Sequence, residues 1–344
     1  MSCVDSGRSS GFIGRGGRAP RGARPGLPDR QRAAIVQIYL PVAELPVNMF
    51  LIFGMGAAVG FLSGLFGVGG GFLLTPLLIF SGIAPAVAVA STTAQVVASS
   101  FSAAFTYWRR RLIDFKLAGV LVVAGIIGSA IGVGIFTLLR RSGQLDLIIS
   151  ICYVTFLGLV GGLMLTESIR SIISTRRGRP APLRRPGQHG WLHGLPLKMR
   201  FKRSRLYVSV IPIFAIGIGI GILGSMLGIG GGFILVPALI YILRVPTNIV
   251  VGTSLIQMIG TMAVATLLQA GNNQSVDGVL ALILMVGGVI GAQFGARLGA
   301  RVGGEQLRAM LGLLVLAVGI RFLVNLVSTP AELFSLATLW GDAR

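Results

Sequence analysis

Two sets of neutral hydrogen-bonding side chains interrupt a chain built mainly from apolar residues: Thr92, Thr93 and Gln95, and again Thr253, Ser254 and Gln257. Each set stands at the beginning of a long apolar run. Hydroxyls and amides can hold an oxyanion without a fixed counter-charge, or they can satisfy helix carbonyls and neighbouring helices. A glycine run precedes each set: Gly67-Val68-Gly69-Gly70-Gly71-Phe72 and Gly228-Ile229-Gly230-Gly231-Gly232-Phe233. Three consecutive glycines penalise helix and open backbone conformations closed to other residues. Within a membrane such a run breaks a helix and bares N–H groups at the start of the next, which protein, water or a ligand must satisfy. An anion suits that positive helix end, and a tight interhelical turn without ligand is the competing reading. The runs are not nucleotide phosphate loops, because neither contains G-x-x-x-x-G-K-[ST] and no lysine stands nearby.

Other chemistry lacks residues to carry it. Asp114, Asp146 and Asp277 fall beside segment starts, and Glu167 and Glu305 flank apolar runs, so no carboxylate clearly occupies the middle of a crossing. Proton relays and cation paths usually need buried carboxylates. His189 and His193 lie in a loop rich in Pro and Arg with no further ligand nearby, and Cys3 and Cys152 form neither a disulfide framework nor a C-x-x-C site. The expectation is a protein that is not an enzyme and uses no cofactor or metal.

The elements that must position the polar sets are membrane helices. The 344 residues are 53% hydrophobic and 12% charged, about half the charged share of a soluble domain. Apolar stretches fall at about 49–66, 70–83, 86–107, 117–138, 145–165, 207–227, 232–243, 248–269, 278–298 and 307–327. All but 70–83 and 232–243 approach the roughly 20 residues a crossing helix needs. The net charge of +20 is concentrated in 1–32, in Arg109, Arg110, Arg111 and Lys116, and in 166–205. These clusters flank apolar runs, which suits the positive-inside bias and contact with anionic lipid rather than nucleic acid.

The chain repeats itself. Residues 60–76, GFLSGLFGVGGGFLLTP, and 221–237, GILGSMLGIGGGFILVP, share nine of 17 positions at a shift of 161, and Asp114 meets Asp277 at a shift of 163. Five apolar stretches per half make an odd number of crossings, so the second half is expected upside down relative to the first, as in many secondary transporters. The predicted fold is an all-α polytopic membrane protein: two inverted repeats of about five transmembrane segments each, with Gly-rich helix breaks. The expected divisions are a disordered basic tail (1–36), a first repeat (37–165), a basic cytoplasmic linker (166–206), a second repeat (207–327) and a short tail (328–344). Glycines spaced by four, such as Gly56, Gly60 and Gly64 or Gly128 and Gly132, read as helix-packing faces. On spacing alone, Gly128→Ala should be milder than Val at Gly70 or Gly231.

G-x-x-S-G-x-x-G-V-G-G-G-F at 60–72 leads to Pro76, G-x-G-G-G-F-x-x-x-P recurs at 228–237, and G-T-S follows at 252–254. Through these motifs the chain resembles the TauE/SafE family, also called the sulfite exporter or toluene-sulfonate uptake permease family, over about residues 45–327. The resemblance implies secondary transport of a small anionic substrate, such as sulfite, sulfonates or sulfoacetate, across the bacterial inner membrane by a multi-pass protein. It assigns Gly67, Gly69, Gly70, Gly71, Gly228, Gly230, Gly231 and Gly232 to broken-helix elements near the substrate pathway. Thr92, Thr93, Thr253 and Ser254 would be the polar residues opposite them, and Gln95 and Gln257, beside these in each half, join them as candidate substrate-pathway residues on residue type and placement. The first copy reads A-S-T-T where the second reads V-G-T-S, so the symmetry of the site is inexact. Anionic membrane lipids are expected partners, a homodimer is compatible with the sequence, and nucleic acid is not expected. The alternatives are a carrier or channel for another small solute such as a carboxylate, and a non-transporting membrane assembly protein.

Overall fold

The first half begins with a two-stranded antiparallel hairpin, β1 (Gln37–Leu40) and β2 (Leu45–Asn48). Helices α1 (Met49–Phe66), α2 (Gly71–Phe80), α3 (Pro85–Arg109), α4 (Phe115–Arg141) and α5 (Leu145–Arg176) follow. The second half repeats the order: the hairpin of β3 (Lys198–Phe201) and β4 (Leu206–Ser209), then α6 (Val210–Leu227), α7 (Gly232–Tyr241), α8 (Thr247–Leu268), α9 (Gly278–Gly299) and α10 (Gly304–Val327). A π-helical turn, Gln269–Asn273, extends α8. This computed structural model describes residues 37–176, 198–201, 206–241, 247–299 and 304–327. The expected basic tail at 1–36, most of the linker at 177–197 and 202–205, and the tail at 328–344 lie outside the described residues. All described elements belong to one compact unit, Val36–Arg344.

The chain is an all-α polytopic membrane protein, apart from the hairpins. Seven helices among the described residues are long and apolar enough to cross a membrane. At ten residues each, α2 and α7 reach only about 15 Å, half the hydrocarbon thickness. They cannot cross as helices unaided, so length alone does not supply five crossings per half. The hairpins were not legible as strands: 37–48 reads only as a short lead-in to a membrane segment. Helix α5 continues to Arg176, past the end of its apolar stretch.

Local chemistry sets the helix ends. Asn48 and Ser209 accept the N–H groups of Phe50 and Ile211 and so cap α1 and α6. Asp114 and Asp277 do the same for α4 and α9, each taking two backbone N–H groups at 3.0–3.3 Å. Pro76 and Pro237 lie inside α2 and α7. Each follows its phenylalanine by four, so the F-x-x-x-P motif removes the N–H that would have bonded the Phe72 or Phe233 carbonyl.

Packing pairs helices across the halves. The largest seams join α1 to α9, α4 to α6, and α5 to α10, while α3 packs on α8 and α9 and α4 on α8. Backbone-to-backbone approach makes the first two seams. A Cβ built on Gly56 would stand 2.9 Å from the Leu284 carbonyl oxygen, and one on Gly60 or Gly64 would overlap the backbone of Gly288 or Ala292. Gly128 meets the Ile218 carbonyl in the same way, and Gly132 meets Ile222 and Ser225. Gly128→Ala is therefore no mild change: a new methyl has only main chain to displace. Residue numbers rise together along both seams, so α1 runs parallel to α9 and α4 to α6. The pairing of Thr93 with Thr266 and of Ser100 with Met258 makes α3 antiparallel to α8.

Candidate functional site: the crossing of two glycine turns

The glycine runs form two turns that meet. Gly67, Gly69 and Gly70 have φ of 65°, 87° and 57°, and Gly228, Gly230 and Gly231 have φ of 68°, 79° and 78°. This left-handed region is closed to most side chains, which explains why glycine stands three times in each turn. Gly71 and Gly232, with ordinary φ, begin α2 and α7 and sit against the opposite turn. A Cβ on Gly232 would lie 2.7 Å from the Val68 carbonyl oxygen, and one on Gly71 would overlap the Gly228 carbonyl. Phe72 stacks on Phe233 with ring centroids 5.2 Å apart and planes inclined by 13°. Two helix N-termini are thus held side by side within the protein, and both glycine runs stand at the junction.

Helices α3 and α8 close that junction with apolar side chains. Val96 packs against the positions a Cβ would take on Gly69, Gly71 and Gly230, and the Met258 thioether against those on Gly69 and Gly232. Both residues are buried, and the Ser100 hydroxyl donates to Met258 Sδ at 3.8 Å. Val96 and Met258 escaped the sequence reading because an apolar side chain in an apolar run carries no chemical signal. Their one legible mark is position, since each follows its half's glutamine.

All six side chains expected to supply polar groups are buried. Thr92 Oγ1 donates to the Ala88 carbonyl, Thr93 Oγ1 to that of Ala90 at 2.7 Å, and Thr253 Oγ1 to that of Ile249. Ser254 Oγ lies 2.9 Å from its own helix's Val251 carbonyl and 3.1 Å from the Gly67 carbonyl of the opposite turn. The Thr253 oxygen also accepts the Asp114 N–H, and Ser91 Oγ accepts that of Asp277, so hydroxyls near these helices' starts hold the caps of α4 and α9. Ser254 therefore belongs to the crossing, whereas Thr92 and Thr253 serve its surroundings.

The glutamines flank the crossing. Gln95 lies over Gly288 of α9, its Nε2 2.5 Å from where a Cβ would be, and Gln257 lies over Gly125 of α4 at 3.0 Å. Gln257 Nε2 donates to Thr261 Oγ1 at 2.9 Å. Gln257 Oε1 and both amide atoms of Gln95 are buried without a hydrogen-bond partner. An unpaired buried polar group costs about 1–3 kcal/mol, and Ser63 Oγ, Thr75 Oγ1 and Gln269 Nε2 are buried in the same way. No group of three or more potential metal-ligating side chains occurs among the described residues.

Residues 52–322 match the family model described as Sulfite exporter TauE/SafE. A probable membrane transporter protein of Xylella fastidiosa strain 9a5c is 30% identical over 283 residues, 79% of this chain and 94% of that protein. The probable membrane transporter protein YjnA of Bacillus subtilis is 30% identical over 236 residues, covering 68% and 84% of the two chains. Sulfite exporter TauE/SafE family protein 1 of Arabidopsis thaliana is 34% identical over a shorter 85 residues, 25% of this chain and 19% of that one. No solved structure matches the chain. Glycine turns, short helices with an internal proline and the family match over 52–322 lead to one conclusion: this multi-pass membrane protein belongs to the TauE/SafE family.

Proposed function

We propose that this membrane transporter carries small sulfur oxyanions, sulfite or organosulfonates, as a secondary carrier, and that the anion passes through the crossing of the two glycine turns. The observation that carries the reading is the juxtaposition of the N-termini of α2 and α7 at the Phe72–Phe233 stack. Each helix N-terminus bears roughly half a positive charge. Two such ends side by side repel one another in a low-dielectric interior, and a bound anion removes the repulsion. The buried Gln95 and Gln257 amides provide neutral polar groups on either flank, and Ser254 provides one at the turn itself.

The same reading makes the halves inverted repeats. Antiparallel α3 and α8, with α1 parallel to α9 and α4 parallel to α6, suit a pseudo-two-fold axis across the helices, and the short α2 and α7 become half-length elements that begin at the site. Val96 and Met258 close the path in the conformation described, so transport requires α3 and α8 to move relative to the turns.

Flux into liposomes containing the purified protein tests the proposal, with sulfite, sulfoacetate, sulfate and acetate offered separately. Uptake of sulfite or sulfoacetate well above acetate is the expected result. Acetate transport without movement of any sulfur anion would establish a carboxylate carrier instead. No flux of any anion by well-folded protein would favour the assembly role.

A further inference from the structure

On the outer face of α3 and α8, away from the crossing, Phe101, Ala104, Phe105, Trp108, Phe115, Ile256 and Ile259 line a groove of about 260 Å³. Phe101, Phe105 and Trp108 recur at helical spacing on one face of α3, and with Phe115 they are largely exposed, at 67%, 47%, 57% and 53%. From Phe101 to Trp108 the groove follows about 10 Å of helix. Helix α3 ends one residue beyond Trp108, and Arg109, Arg110, Arg111 and Lys116 around that end are all exposed. The Arg109 guanidinium lies 4.6 Å from the Phe105 ring centroid, which holds a charge at the rim of the apolar channel. An aromatic-lined channel with a cationic end matches one ligand chemistry, a hydrocarbon chain joined to an anionic head.

We infer that this groove binds an anionic phospholipid, with an acyl chain along Phe101, Phe105 and Trp108 and the headgroup phosphate on Arg109 and Arg110. Charge complementarity favours this occupant over a zwitterionic lipid. A second copy of the chain seated here would bring a second cationic cluster against the first if the pairing were two-fold and parallel. Helices α3 and α8 also carry Gln95, Val96, Gln257 and Met258, so the lipid lies against the outer surface of the two helices that close the crossing.

Trp108 makes the proposal directly measurable. With Trp191 and Trp340 changed to Phe in the full-length protein, Trp108 becomes the only indole. Its emission is then followed in phosphatidylcholine vesicles containing either brominated phosphatidylglycerol or brominated phosphatidylcholine at equal mole fraction. The expected result is stronger quenching by the anionic lipid, with each engaged arginine contributing roughly a 5-fold preference. R109Q/R110Q should abolish the preference while leaving quenching by brominated phosphatidylcholine intact. R141Q, at the far end of α4, should leave it unchanged. Equal quenching by the two lipids in the parent protein would overturn the proposal, as would loss of the preference in R141Q. Absence of quenching by either lipid would show that protein covers the face, and that too overturns it.

Discussion

Where the two halves meet, they share a backbone but not a chemistry. The α3 side offers Gln95 with both amide atoms open and closes the junction with Val96. The α8 side offers Gln257 with its amide nitrogen tied to Thr261, and closes the junction with Met258. Ser254 reaches the opposite half's turn, whereas Thr93 accepts a hydrogen bond from Thr266 on α8. The register of α3 and α8 is the same: Ser91 and Thr253, each four residues before its half's glutamine, hold the caps of α9 and α4 alike. The difference lies in substitution: four residues beyond Gln257 stands Thr261, which takes its amide N–H, whereas four beyond Gln95 stands Ser99, whose hydroxyl donates to the Val96 carbonyl.

The seams should fail alike in both halves, and this is the largest effect expected. Gly60→Ala and Gly128→Ala each force a methyl into an opposing backbone, an overpacking cost of about 1–3 kcal/mol. Recovery of monodisperse protein after detergent extraction should fall strongly for both, while Gly119→Ala and Gly134→Ala, which have open space at the Cβ position, match the parent. Failure of one seam variant with survival of the other would show that the two seams are not equivalent.

The glutamines should separate the halves by size of effect. Gln95→Leu removes two unpaired buried amide atoms, so thermal stability should rise by about 1 kcal/mol or more while sulfite flux falls. Gln257→Leu removes one, its Oε1, but leaves Thr261 without its donor, so the two effects offset and stability should change by less than about 1 kcal/mol. Melting temperature and flux measured on the same preparations decide the matter, and equal stability gains in both variants would end the asymmetry argument.

The smallest contrast lies in the hydroxyls. Ser254→Ala loses a bond between halves, about 0.5–1.5 kcal/mol or 2- to 12-fold in a conformational equilibrium. Thr93→Val retains nearly the same volume and should alter flux less. Binding and flux are measured together: a 10- to 150-fold loss of sulfite binding in either variant would instead mean that its hydroxyl touches the anion directly, because bonds to a charged partner contribute about 1.5–3 kcal/mol.

Periodicity and length made the helices legible: apolar stretches at 49–66 and 278–298 became α1 and α9 almost residue for residue. The glycine turns were legible because consecutive glycines have few other uses in a membrane segment. The destination of each hydroxyl was not, because Thr92 bonding Ala88 and Ser254 reaching Gly67 look identical in sequence. Nor was the severity of a methyl at Gly128, which depends on Ile218, a residue distant in the chain. The hairpins escaped because strands of four residues carry too short an alternation to register.

The oxygen Oδ2 of Asp277 lies 2.9 Å from the Val42 nitrogen and 3.4 Å from that of Ala43, at sequence separations of 235 and 234 residues. The principal partner of α1 is likewise α9. On the ribosome these contacts wait for one another: at about 5–20 residues per second, some 12–47 s separate the synthesis of the first hairpin from that of the aspartate that fastens it. Throughout that interval the glycine face of α1 is without its seam and rests against lipid or the insertion machinery. The first helix made is among the last to be seated, so a nascent chain cut short before α9 leaves an amino-terminal half that cannot assemble its own seam.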